Sequence, residues 1–197
     1  MSAVNNTHSI QDQNRTSYQQ NYIARQGDNV LSGGIAVLYM FMNLLSEMAD
    51  SMYADMQAQS DITREAQSYA NRVDSAIAEA AKKGDKGSSA IDYDTYQYMY
   101  ENNITVEGQP INDYLGYPQS NGLMTETKLS ELKQDQGELQ AIKASLETVS
   151  NQASDYVSQS QLQLQKLMQT YNVTVSLINS MQTLLADMNK SIAQNIR

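Results

Sequence analysis

Only one imidazole, His8, and no cysteine occur in the 197 residues. A histidine-activated nucleophile, a thiolate zinc site and a multi-histidine metal site all need more than that, so the reaction classes that depend on them are excluded. Asp92, Asp94 and Glu101 offer carboxylates to a cation, but without the spacing and glycine of a calcium-binding loop they read as solvated acids. Tyr93, Tyr96, Tyr98, Tyr100, Tyr114 and Tyr117 offer contact area at low entropic cost, and their first reading is the packing of a small subdomain. The methionines from Met40 to Met56 read as core filler. No catalytic constellation is left, and the chain is expected to be no enzyme and to need no cofactor.

The charge of −9 and pI near 4.5 argue against nucleic acid as a partner, because phosphate-backbone affinity rests on clustered Lys and Arg. The longest apolar run, Ile35 to Leu45, contains Asn43 and falls well short of the roughly 20 residues that span a bilayer. Membrane contact is therefore expected to be indirect only. Residues 1–30 are rich in Ser, Thr, Asn and Gln with little that packs, so they are expected to form a disordered leader.

What positions the remaining residues follows from the helix breakers. Pro110, Pro118 and most glycines lie between Gly84 and Gly137, whereas neither Gly nor Pro interrupts Ile35 to Lys83 or Glu138 to Arg197. Two long helices are predicted, over 31–83 and 137–197, around a central excursion at 84–136. Ser32 is a candidate cap for the first, and Lys82-Lys83-Gly84 a fitting end.

Alternate steps of three and four along the first helix trace an apolar seam through Ile35, Leu38, Met42, Leu45, Met52, Met56, Val73 and Ile77. The second seam runs Leu139, Ile142, Leu146, Val149, Ala153, Tyr156, Ser160, Leu164 and onward, with a stutter of two successive fours at Tyr156–Ser160–Leu164. The stretch from Gln161 to Gln165 alternates like a strand, but it lies inside this longer helical period. In the excursion, Ile91 to Asn103 fits a short helix with Tyr93, Tyr96 and Tyr100 on one face. Ile104 to Leu115 fits two short strands around a turn at Glu107 to Pro110. The predicted fold is all-α dominated: a long antiparallel two-helix coiled-coil hairpin with a small α/β or irregular central excursion, polymerising helically.

Polymerisation is expected because the second helix carries more apolar width than one partner covers. Met168, Val175 and Ile196 line one flank of its seam, and Leu177 and Leu184 the other. Its other positions are mostly uncharged, with only Asp155, Lys166, Asp187, Lys190 and Arg197 after Thr148, which suits contact with like copies. The expected self-assembly seam is Leu164, Leu167, Tyr171, Ile178, Met181, Leu185, Met188 and Ile192. The eight residues of the first helix given above form the expected intramolecular seam.

With "AIAEAAKKGDK" at 76–86, "YMYENNITVEGQPINDYL" at 98–115, "LQAIKASLE" at 139–147 and "SQSQLQLQKLMQTYN" at 158–172, the chain resembles the EspA/SseB/EseB family of type III secretion translocon proteins. The resemblance implies a secreted structural subunit of a hollow helical filament on the bacterial surface that conducts effectors to host cells. It further implies an export signal in the leader, a cytoplasmic chaperone before export, and needle and pore-forming translocator proteins as partners. A secretion chaperone or a pore-associated translocator is the alternative.

Overall fold

The computed structural model describes residues 30–84 and 86–195. His8 and all of the leader except Val30 lie outside the described residues. Helix α1 spans Val30–Lys82 and is followed by β1 (Ser88–Ser89), α2 (Tyr93–Glu101), β2 (Thr105–Val106), β3 (Gln109–Pro110) and α3 (Ile111–Tyr114). A 3-10 turn (Gln119–Asn121), α4 (Glu126–Glu131), β4 (Gln134–Asp135) and α5 (Gln136–Asn195) complete the order. The fold is thus all-α dominated, with two long helices that pack together and only two-residue strands. The chain divides into two compact units, residues 56–159 and residues 1–55 with 160–197.

In the 56–159 unit the core has three contributors. Helix α1 supplies small side chains, Ala66, Ala70, Ala76 and Ala80 with Val73; α5 supplies Leu139, Ile142 and Leu146. The excursion adds Tyr96, Met99, Val106, Ile111, Met124 and Leu129, all buried. Alanines on α1 leave room for leucines of α5 on one side and for aromatic rings on the other, as where Tyr69 and Tyr98 stack with centroids 4.4 Å apart. Thr63 pairs with Ser150, whose hydroxyl donates to the Thr63 carbonyl at 3.1 Å. Asp74 pairs with Lys143, whose Nζ lies 2.7 Å from Asp74 Oδ1, so the two helices run antiparallel here. The Asp74 carboxylate holds the Lys143 ammonium above the usual lysine range. An ion pair this exposed adds little, because water screens it, and apolar burial does the holding.

The excursion is tied down at its stems and at its centre. β1 pairs antiparallel with β4, Ser88 opposite Asp135, so the segment returns to where it left. Gly84 ends α1 with φ +90°, and Gly87 is required where the chain doubles back, because a Cβ there would sit 1.9 Å from the Ala80 carbonyl oxygen. Asp135 and Glu138 cap α5 reciprocally: Glu138 N–H donates to Asp135 Oδ1 and Asp135 N–H to Glu138 Oε2, both at 2.9 Å. β2 and β3 form the predicted hairpin, but its turn is Glu107–Gly108, both at positive φ (51° and 80°), with Gln109 and Pro110 already in strand.

At the centre, the fully buried Tyr96 donates its hydroxyl to Asn112 Oδ1 (2.7 Å) and accepts from Met124 N–H (2.8 Å), while Asn112 Nδ2 donates to the Gly122 carbonyl (2.8 Å). Three stretches distant in sequence are locked by one phenol.

In the other unit, Ile35, Tyr39 and Ile178 are buried together, with Leu38, Met42, Met181 and Leu185 packed against them. Tyr39 Oη accepts from Gln182 Nε2 at 2.9 Å. Gly34 makes room for the Met181 thioether, whose Cε would lie 2.7 Å from a Cβ at that position. Ser32 does not cap α1: the helix begins at Val30 and buries Ser32 inside it.

The stutter also moves. Ser150, Ser160 and Thr174 are buried, Val157 is half-buried and Tyr156 is exposed, so the successive fours fall at Ile142–Leu146–Ser150 and the seam then continues through Ala153, Val157 and Ser160. A polar residue occupies the buried position at 150 because the Thr63 carbonyl satisfies its hydroxyl.

Burial raises the Tyr96 hydroxyl above the usual tyrosine range. A raised folded-state value means the stabilisation is complete below the unfolded tyrosine pKa of about 10 and is lost as pH rises through the folded value. Tyr96→Phe leaves Asn112 Oδ1 and Met124 N–H without their partner, and should destabilise by about 1–3 kcal/mol in urea titrations at neutral pH. It should also flatten the alkaline fall in stability. An unchanged urea midpoint would show that the phenol bridge does not hold the excursion.

Candidate self-association surface

The acids that could hold a cation are engaged otherwise. Asp92 caps α2 through Thr95 N–H (3.0 Å), and Asp92 and Asp94 both accept from Arg72 Nη1, at 3.3 and 2.9 Å. These carboxylates, Asp94 first, hold the Arg72 guanidinium above its ordinary value, and the same group lies over the Tyr69 ring. Glu101 accepts from Gln97 Nε2 at 2.7 Å. The six tyrosines of the excursion are buried in its core or packed against it, and burial likewise raises Tyr98 and Tyr114.

What remains is apolar surface, and it concentrates in the unit formed by residues 1–55 and 160–197. The eight residues expected to face other copies do not share one environment. Leu167 and Ile178 are buried, Leu164, Tyr171, Met181 and Leu185 are half-buried, and Met188 and Ile192 are exposed. Ile178, Met181 and Leu185 pack on α1 of their own chain, contrary to the sequence-based expectation that they face a neighbour. That reading treated the surplus width of the helix as continuous with its seam. The geometry separates them: the seam closes inside the chain, and the flank stays open.

Of the expected intramolecular seam, Ile35 and Leu45 are buried in this unit and Leu38, Met42 and Met52 half-buried. In the other unit Val73 is buried and Met56 and Ile77 are half-buried. Leu162, the first leucine of the strand-like alternation, points to solvent, while Leu164 turns toward the seam.

Two uncovered stripes result. On α5, Val173, Leu177, Leu184 and Met188 are exposed, Leu184 at 55%. On α1, Val37, Phe41, Leu44 and Met48 are exposed, Val37 at 64%. The second stripe escaped the sequence reading because only one heptad register was followed along the first helix. Following the offset register, with steps of four, three and four from Val37, would have found it. The start of α1 is apolar all round, which in water-soluble proteins marks a helix that is buried on every side. By length and composition α1 holds an 18-residue window able to cross a membrane, less than a third of it buried. The unbroken run from Ile35 to Leu45 understated this, because Ser32, Gly33 and Gly34 interrupt the run without adding charge.

Residues 2–191 match the EspA-like secreted protein family. Secreted effector protein SseB of Salmonella typhimurium is 29% identical over 166 residues, covering 84% of this chain and 80% of SseB. The cryo-electron-microscopy structure of the type III secretion system EspA filament of enteropathogenic Escherichia coli resembles the fold with a TM-score of 0.55 at 22% identity, over 87% of this chain and 90% of that one.

The two faces of α5 predict opposite responses to truncation. Ile178→Ala should lower the stability of the dilute monomer by about 2–4 kcal/mol in urea unfolding, whereas Leu177→Ala should stay within about 0.5 kcal/mol of the parent. Equal losses at both positions would mean that Leu177 is also covered within the chain.

Proposed function

The chain belongs to the EspA-like secreted protein family, and on that premise we propose that it is the structural subunit of a type III secretion translocon filament, a hollow helical polymer that conducts effectors to host cells. The observation that carries the proposal is the pair of uncovered apolar stripes in one unit: exposed side chains of this size on two faces remain in water unless copies cover them. Before export the same surface needs masking, so a cytoplasmic chaperone covers it. After export the polymer joins needle and pore-forming translocator proteins at its ends, and residues 1–30 carry the export signal. Met188 and Ile192, with the exposed flank of α5, serve assembly, while Ile178, Met181 and Leu185 serve the intrachain seam.

A pore-associated translocator is the second reading, favoured by the membrane-length window in α1. Against it, the acids Glu47, Asp50, Asp55 and Asp61 follow that window with no Lys or Arg between Val30 and Arg64, so this part of α1 carries no cation for an anionic lipid surface. The other alternative, a secretion chaperone, works in the cytoplasm, whereas this family is a secreted one.

Electron microscopy and sedimentation of the purified, chaperone-free protein at rising concentration should show polymers. Leu184→Asp and Ile192→Asp should abolish them while helical circular dichroism is retained, because each copy would bury a carboxylate at a cost of at least several kcal/mol. Asn179→Asp, exposed and about 140° around α5 from both Leu184 and Ile192, should polymerise. Monomer or dimer alone at every concentration would overturn the filament reading, and flotation with liposomes in its place would favour the translocator.

A further inference from the structure

The two stripes differ in shape. On α1, Val37, Phe41, Leu44 and Met48 form a ridge centred about 110° around the helix from the seam of Ile35, Leu38, Met42 and Leu45, at 100° per residue. Phe41 is the chain's only phenylalanine. On α5, Asn172, Val173, Ser176, Leu177 and Ser180 line a shallow, open groove along one face of the helix, with Val173 and Leu177 on one side of it and the small Ser176 and Ser180 on the other. The hydroxyls in it make no demand on a partner: Ser176 and Ser180 donate to the carbonyls of Asn172 and Ser176 at 3.0 and 2.9 Å.

Both lie in charge-free stretches. No charged residue occurs from Val30 to Ser46 or from Leu167 to Ala186, in a chain whose net charge is −9. Two copies that meet through these two stretches bring no like charges together.

We propose that the α1 ridge of one copy, led by Phe41, seats in the α5 groove of a second copy, as a heterologous contact that repeats head to tail. Ridge against ridge across a twofold axis would close a dimer and leave the groove wet. Ridge in groove leaves one free ridge and one free groove at the ends of every chain of copies, so growth does not stop. The proposal rests on the filament reading and names the surfaces through which it is built.

The natural absence of cysteine makes the test direct. Full-length Val37→Cys and Ser180→Cys proteins, one enlarged by a tag, are mixed and treated with a short flexible bismaleimide. An intrachain link cannot form in either. The expected product is a covalent pair containing one of each, with each variant alone giving no more than background. Self-linked pairs of either single variant, or equal linkage to an Asn189→Cys control on the exposed opposite side of α5 from Ser180, would overturn the pairing. Filaments in the micrographs without the 37–180 link would overturn it while leaving the polymer intact, whereas absence of polymer from the parent protein would overturn the filament reading itself. Phe41→Ala should raise the critical concentration at least about tenfold with helicity unchanged. An unchanged critical concentration would exclude Phe41 as the lead residue.

Discussion

Water exclusion between α1 and α5 is the constraint on which the rest of the structure depends. Helix α5 is rich in Ser, Thr and Asn, residues with modest helix propensity, and a long isolated helix of such composition is poorly stable in water. Its regularity comes from burying Leu139, Ile142 and Leu146 on the alanine face of α1 in one unit, and Ile178 with Met181 against Ile35 and Tyr39 in the other. Each large apolar side chain fully withdrawn from water contributes about 1.5–3 kcal/mol. The alanines matter as much as the leucines, because their small size lets the aromatic core of the excursion share the same face of α1.

The hydroxyls of α5 explain how so polar a helix can offer contact surface. Ser145, Thr148, Ser158, Thr170, Thr174, Ser176, Ser180 and Thr183 each donate to the carbonyl four residues earlier, at 2.7–3.0 Å. Their polarity is spent on the helix's own backbone. The outer faces are therefore less demanding of water than their composition suggests, and uncharged without being fully apolar.

The long helices and the hairpin were legible because their signals are local: missing Gly and Pro, heptad spacing, and Glu-Gly between short β-forming runs. The errors came where a tertiary partner replaced a local rule. Ser150 occupies a seam position because a carbonyl of the facing helix accepts its hydroxyl, and no periodicity of apolar residues reveals that. Ser32 resembles a cap, yet the helix begins ahead of it and buries it. The assembly residues were sought along one register of α5, although the exposed surface is split between a flank of α5 and the far side of α1. A single seam register cannot show which of two apolar stripes the chain covers for itself.

The pairing of Ser88 with Asp135 reaches beyond stability. Because the excursion enters and leaves through neighbouring stems, with Gly87 turning one and the Asp135–Glu138 box fixing the other, its interior length and sequence are decoupled from the register of the two helices. Such a segment behaves as an insertion: a length change in one of its loops leaves the alignment of the helices that carry it in place, provided that the face packed on α1 is kept.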